Sequence, residues 1–455
     1  MTVDLTDLHA CFEGVIPSII ATASPDGTPN ISYLSHVVMV DDSHVGLSNQ
    51  FFSKTASNIR ENPQAALLLV DPRDGEQYRL DMTFVQALAS GDVFHHVESQ
   101  LQATSAQVGM TGVFRLKGVD IYRVGSIARV PSPVDASDGT GPAGAAGASS
   151  PIWVSKAGLK QAADVIKAVA GQSEVDAVVD TVLERMEACL GYGATILLLH
   201  DAARNVLTTL GSRGYAQTGV GSEVPVGEGI IGAAAAGRRL MKVSDMSRVR
   251  RFGEAIRSTS SDENRTRTIN LPGMADSMSQ IAVPMIAQGM LQGVLFAESR
   301  ARLAFTGDDE AALSVIAAQT AGALVMAEIL AGEPQGGADV APSQWVGGRS
   351  FRVAHHAYDD SVFIGNEYVI KGVSGRLLMF MLEIYLREGR RDFTNRELRL
   401  AASLRLPDIK DNLESRLLLL RRRLADKGFP IRLVRTGRGR ISLEIDGRPE
   451  VEGCA

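Results

Sequence analysis

Cysteine is nearly absent. Cys11, Cys189 and Cys454 stand alone and far apart, with no CxxC pair. That spacing leaves no disulfide framework and no thiolate zinc site, and it implies reduced thiols in a cytosolic compartment. Long apolar runs are missing too. The run "AALLLV" is far short of a bilayer span, and no charged-then-apolar leader opens the chain. The expectation is a soluble cytoplasmic protein with no membrane partner. Ser-His-Asp sets, His/Cys/Asp/Glu ligand spacings and Walker loops are also lacking, so no catalytic and no metal-binding residue is assigned. No phosphoacceptor receiver is visible, which argues against phosphorylation as an input.

What is present is unevenly charged. The chain has 455 residues and a formal net charge of −6. From Val340 onward there are 21 Lys/Arg against 15 Asp/Glu, a net of +6, so the remainder carries −12. An acidic body with a basic end suits a protein whose last domain alone meets nucleic acid. Two stretches rich in Gly, Ala, Ser and Pro punctuate the chain, and they divide it into units 1–131, 152–330 and 350–446 with linkers at 132–151 and 331–349.

The last unit is the most explicit. "FTNREL" places Thr394 and Glu397 at capping-box spacing. "DNLESRLLLLRRRLADKG" predicts one helix ending at Gly428, with Leu413, Leu417, Leu420 and Leu424 as its buried stripe. Asn412, Ser415, Arg416, Leu419, Arg422 and Arg423 then fall on the flank and back of the helix, away from the stripe. A hairpin follows, turning at Gly437-Arg438-Gly439, with Arg435, Arg438 and Arg440 at or near its tip. Between Asn395 and Ile445 there are 13 Lys/Arg and 6 Asp/Glu. A basic helix followed by a basic ribbon suits a major groove flanked by phosphates. A solvated basic face is the plainer alternative. With the preceding "VFIGNEYVIKGVSGRLLMFMLEIYLREGRRDFTNREL", this order resembles the winged-helix output domain of OmpR/PhoB-type regulators over roughly Ser350 to Asp446. The resemblance implies that these nine residues contact double-stranded DNA.

The first unit predicts short strands with turns between them, which suggests a barrel. "VGLSNQFFSKTASNIRENPQAALLLVD" and "ATASPDGTPNIS" resemble the flavin-binding split barrel of the pyridoxamine-5′-phosphate-oxidase-like superfamily, over roughly Glu13 to Val124. The resemblance implies FMN, with Ser53, Lys54 and Thr55 at its phosphate and Ser48 and Asn49 at the ring edge. It also implies a homodimer. A hydroxyl pair, a cation and free N–H groups at a helix start form an anion site on physical grounds. An empty dimerising barrel, heme or deazaflavin remain as alternatives. His95 and His96 are expected in a polar loop, as solvated side chains.

The middle unit predicts two amphipathic helices, hairpins, a glycine-flanked helix and a closing helix capped at Thr306. "LLLHDAARNVL", "VPVGEGIIGAAAAGRRLMKVSD", "AVPMIAQGMLQGVLFAES" and "FTGDDEAALSVIAAQTAGAL" resemble a GAF domain in the family's order. Arg265 and Arg267 lie in a long polar segment where an anionic effector would be held, or they belong to a surface loop. Cys189 is expected as a packed thiol.

The chain therefore predicts an α+β multidomain protein: split β-barrel, α/β GAF domain, then winged helix-turn-helix. The expected function is a dimeric DNA-binding transcriptional regulator sensing a small molecule or redox state. A flavin-dependent oxidoreductase with an appended GAF and interaction domain is the alternative.

Overall fold

The computed structural model describes residues 3–34, 36–49, 54–107, 116–131, 158–246, 269–331, 350–404, 406 and 412–454. Both expected linkers (132–151 and, apart from Ala331, 331–349) lie outside these, as do Ser53, Arg265 and Arg267.

Seven antiparallel strands build the first sheet: β1 (Ser18–Ala23), β2 (Pro29–Leu34), β3 (Val37–Asp41), β4 (His44–Asn49), β5 (Gln64–Val70), β6 (Gln77–Leu88) and β7 (Gly118–Val130). Their order is β2-β1-β5-β6-β7-β4-β3. Strict alternation in β1 and β5 buries every second residue, and these contribute Ile20, Leu67 and Leu69 to a core with Leu5, Leu8, Leu80, Met82 and Tyr122. Helix α1 (Lys54–Glu61) lies between β4 and β5, and α2 (Asp92–Gln107) follows β6. His95 and His96 thus belong to a helix and not to the loop expected of them. The Asp92 start and the apolar Phe94, Val97 and Leu101 at i, i+3 and i+7 account for the helix.

The middle unit begins with α3 (Leu159–Ala170) and α4 (Val175–Arg185). Its sheet comprises β8 (Ala194–Asp201), β9 (Val206–Arg213), β10 (Glu223–Pro225), β11 (Met241–Val243), β12 (Ser279–Ala287) and β13 (Met290–Ser299), in the order β10-β9-β8-β13-β12-β11. Short α5 (Gly229–Gly237) covers one face with Ile230, Ile231 and a run of alanines. On the other face α3, α4 and the long α6 (Gly307–Ala331) bury Val165, Val179, Ile316 and Leu324. By length and composition α6 would qualify to cross a membrane. Here its apolar side backs the sheet. The expected cap at Thr306 is present: Thr306 N and Oγ1 donate to Asp309 Oδ2 at 2.8 and 2.6 Å, and Tyr192 Oη donates to Asp309 Oδ1.

The C-terminal unit opens with β14 (Ser350–His356), β15 (Ser361–Ile364) and β16 (Glu367–Ile370). It continues through α7 (Gly372–Glu388), β17 (Asp392–Thr394), α8 (Asn395–Leu400) and α9 (Leu413–Asp426). It ends with β18 (Ile431–Gly437), β19 (Arg440–Ile445) and β20 (Arg448–Cys454). Strand β20 runs parallel to β14, and β17 extends the β18–β19 hairpin. Glu397 N donates to Thr394 Oγ1 at 3.2 Å, the helix start expected from "FTNREL". The leucine stripe of α9 is buried as its spacing requires, with Leu413, Leu417, Leu420 and Leu424 between 0% and 4% exposed.

The back of α9 departs from expectation. Arg423 and Ser415 are 6% and 5% exposed, and Leu419, Arg416 and Arg422 are half-buried. A helical wheel assumes one covered face. This helix is covered twice, by its own core and by α4, β9 and α6 of the middle unit.

Asp309→Ala removes one buried carboxylate that accepts three hydrogen bonds. It is expected to destabilise the middle unit by about 2–3 kcal/mol, read as a lower urea midpoint at unchanged slope.

Candidate functional site

At the start of α1, Lys54 projects to solvent while Thr55 turns inward and is 3% exposed. Asn30 Nδ2 donates to Thr55 Oγ1 at 2.9 Å, and Ser32 Oγ lies 3.2 Å from the same oxygen. Asn58 Nδ2 donates to Thr22 Oγ1 at 3.1 Å. Thr22, Asn30, Ser32, Thr55 and Asn58 therefore form one hydroxyl–amide cluster beneath the helix start, joining β1, β2 and α1. The alternation of β2 turns Asn30 and Ser32 toward α1 and leaves Ile31 and Tyr33 exposed.

Ser48 and Asn49, at the end of β4, are held by other partners. Ser48 Oγ accepts from His36 N at 3.1 Å. Asn49 Nδ2 donates to Asp120 Oδ2 at 3.1 Å. Asp120 is 5% exposed, and burial raises its pKa although Asn49 and the charge of Arg60 oppose the shift.

Several arginines of the basic end are engaged by the middle unit. Arg422 Nη2 meets Asp176 at 2.7 Å and Asp180 at 2.6 Å, and its Nη1 donates to Leu210 O at 3.1 Å. Arg421 pairs with Asp176. Burial disfavours the Asp176 charge, but the two guanidiniums outweigh it and hold the carboxyl below its usual range. Glu328 of α6 accepts from Glu414 N, Ser415 N and Ser415 Oγ at 3.0, 2.7 and 2.6 Å. Arg435 Nη1 lies 3.5 Å from Glu174. Arg423 instead serves its own unit, donating to Val369 O and Tyr368 O at 3.0 and 3.1 Å. Arg438, at the hairpin turn, is half-buried, and its buried Nε and Nη2 atoms have no hydrogen-bond partner among the described residues.

The family model for pyridoxamine 5′-phosphate oxidase matches residues 6–125, and that for the GAF domain matches residues 174–324. The chain carries a split barrel of the pyridoxamine 5′-phosphate oxidase type and a GAF domain. A search of curated proteins finds no match. Among solved structures, an FMN-binding protein from Syntrophomonas wolfei is 17% identical, over 28% of this chain and 86% of that one, at a TM-score of 0.24. The GAF domain of an Acinetobacter phosphoenolpyruvate-protein phosphotransferase is 17% identical, over 38% and 95%, at 0.32. A free methionine-R-sulfoxide reductase from Neisseria meningitidis is 18% identical, over 37% and 88%, at 0.29.

In the barrel, the expected pair Lys54 and Thr55 shares a helix start, but Thr55 faces the protein because Asn30 and Ser32 bind it there. Asn30, Ser32 and Asp120 were missed by sequence reasoning. The polar alternate positions of "PNIS" were the available signal for the first two. In the GAF domain, Glu298 is 3% exposed and accepts from Met274 N at 2.8 Å and Gln280 Nε2 at 3.2 Å. Cys189 packs against the GAF core, as expected. The barrel rests on the GAF domain through α2 against α5, and through Lys242, which reaches Glu13 and Glu310 at 2.7 and 2.6 Å.

His36 of the barrel has a buried Nδ1 without a hydrogen-bond partner among the described residues. Burial, aided by the nearby His96, lowers its pKa from 6.5 to about 4. The unfolded chain therefore binds a proton in this range that the folded chain refuses. Stability is expected to fall as pH drops from about 6.5 to about 4, by up to roughly 3 kcal/mol, and the imidazole should titrate near 4 by NMR. His36→Gln should flatten that slope.

Proposed function

We propose that this protein is a homodimeric, DNA-binding transcriptional regulator that senses a small molecule or redox state through its split barrel, its GAF domain or both. The observation that carries this reading is the C-terminal unit itself. Its order is sheet, helix, short strand, two further helices and a hairpin, with arginines on the last helix and on the hairpin. That order supports a winged-helix assignment in which α9 enters the major groove and the β18–β19 hairpin is the wing. Arg416, Arg438 and Arg440 then contact DNA along with Asn412, Ser415, Leu419, Arg422 and Arg435. Arg423 is withdrawn from that set, because it ties α9 to β16 by two hydrogen bonds inside its own unit. Its loss would loosen α9 from β16, so a change in DNA binding would not isolate a DNA contact.

The barrel residues fit FMN. Lys54 supplies an exposed cation at a helix start, above a cluster of hydroxyl and amide donors, which is a donor set suited to a phosphate. In this reading Lys54, with Ser53, Asn30 and Ser32, holds the phosphate, Thr55 orients Asn30 and Ser32 from beneath, and Ser48 and Asn49 approach the ring edge. When bound, the flavin supplies a redox-active ring. The exposed Ile31, Tyr33 and Val85 are 68%, 73% and 51% accessible, which suits burial against a second copy. The family match of the barrel also favours a flavin-dependent oxidoreductase. Turnover of NAD(P)H with a defined acceptor, without binding to any duplex, would select that alternative.

Purified protein is expected to show flavin absorbance, and mass analysis should return FMN. Lys54→Ala should lower flavin retention by about tenfold, the loss of one charge-assisted hydrogen bond. Unchanged retention would misplace the phosphate site. Duplex DNA from the protein's own upstream region should bind with strong salt dependence. Arg438→Ala should weaken that binding and reduce the salt slope by about one.

A further inference from the structure

Three of the residues assigned to DNA, Ser415, Arg422 and Arg435, already meet carboxylates of the middle unit in this structure. Glu328 places a carboxylate at the N-terminus of α9, where it accepts two backbone N–H bonds and the Ser415 hydroxyl. A phosphate at a helix start takes the same donors. Asp176 and Asp180 occupy the Arg422 guanidinium and Asp176 also takes Arg421, while Arg435 Nη1 lies between Glu174 at 3.5 Å and Glu414 of α9 itself at 3.3 Å. Gly211 on β9 makes room for this seat, since a Cβ there would lie 2.6 Å from Arg422 Nη1. At the hairpin turn, a Cβ on Gly439 would lie 2.6 Å from Ala331 O, so the end of α6 also covers the wing tip. The covering carboxylates lie on or beside α4 and on α6, the helices that back the middle unit's sheet.

We propose that Glu174, Asp176, Asp180 and Glu328 stand in for DNA phosphates, so that the GAF domain competes with duplex DNA for α9 and the wing. The docked arrangement is the closed state, and separation of α9 from α4 and α6 is the step that a signal in the GAF domain controls. The proposal rests on the winged-helix reading above. It goes beyond it by naming the carboxylates that oppose binding. Four carboxylates from two helices converge on the donors that a DNA backbone would use, and α9 cannot serve both partners. Apolar contact fixes the same choice, because Leu418 of α9 is packed into the GAF core.

The test uses the full chain. Wild type and an Asp176→Asn/Asp180→Asn/Glu328→Gln variant are titrated against a fluorescent random-sequence duplex of about 30 base pairs at low salt. Amide hydrogen exchange of α9 is measured in parallel. The variant should bind at least about tenfold tighter than wild type, with faster exchange along α9. Adding Arg438→Ala to the variant should remove much of the gain. Faster α9 exchange with no gain over a measurable wild-type affinity would overturn the competition and leave DNA binding standing. Unchanged exchange and unchanged affinity would show that the carboxylates do not hold the helix, which overturns the proposal as well. Released α9 with no duplex binding by either protein would instead overturn the winged-helix reading. If the triple variant fails to fold, Glu174→Gln/Asp180→Asn is used under the same criteria, since those carboxylates are 42% and 64% exposed.

Discussion

Arginine 422 sits where three parts of the molecule meet. Its guanidinium bridges Asp176 and Asp180 on one helix and the Leu210 carbonyl on a neighbouring strand. It is carried by a helix whose opposite side closes another hydrophobic core. Two cores therefore share α9. Leu413, Leu417, Leu420 and Leu424 belong to the C-terminal unit, Leu418 belongs to the GAF domain, and Leu419 touches both. Ion pairs of this kind contribute little net free energy once desolvation is counted. Their larger effect is directional: the fork of a guanidinium on paired carboxylates admits one orientation, which the leucines alone would leave loose.

The GAF domain is the hub of the described structure. On the barrel side, Lys242 is 7% exposed at side-chain level and is satisfied by Glu13, Glu310 and the Phe305 carbonyl. Arg239 adds contacts to Asp92 at the start of α2. On the C-terminal side lie the arginine contacts of α9. Both neighbours grip elements at the edges of one six-stranded sheet, β11 at one end and β9 near the other. A packed sheet resists gradual deformation, so a change at one edge is most readily expressed as a change of partner at the other. Under the proposed function, this is how sensing in the front modules reaches the DNA-binding end.

The two polar centres of the barrel differ in character. The cluster around Thr55 is neutral and internally satisfied, with a cation standing outside it. The pair Asn49–Asp120 is a buried carboxyl whose ionisation is opposed by burial. Under the proposed function, the cation outside the first meets the phosphate and the second meets the edge of the ring.

Local structure was legible in the sequence wherever its cause is local. The Thr394–Glu397 cap, the Thr306 cap, the leucine stripe of α9 and the hairpin at Arg438-Gly439 each depend on residues a few positions apart. The same holds for the order of elements in the split barrel and the GAF domain. Tertiary structure alone decided the rest. It set which back residues of α9 are covered, which way Thr55 turns, the helical place of His95 and His96, and the parallel pairing of β20 with β14. Those outcomes depend on which remote surface arrives at a given side chain. Periodicity can say that a helix has a polar face; it cannot say that carboxylates from more than 80 residues away, such as Glu328 beneath Ser415, will meet that face before solvent or DNA does.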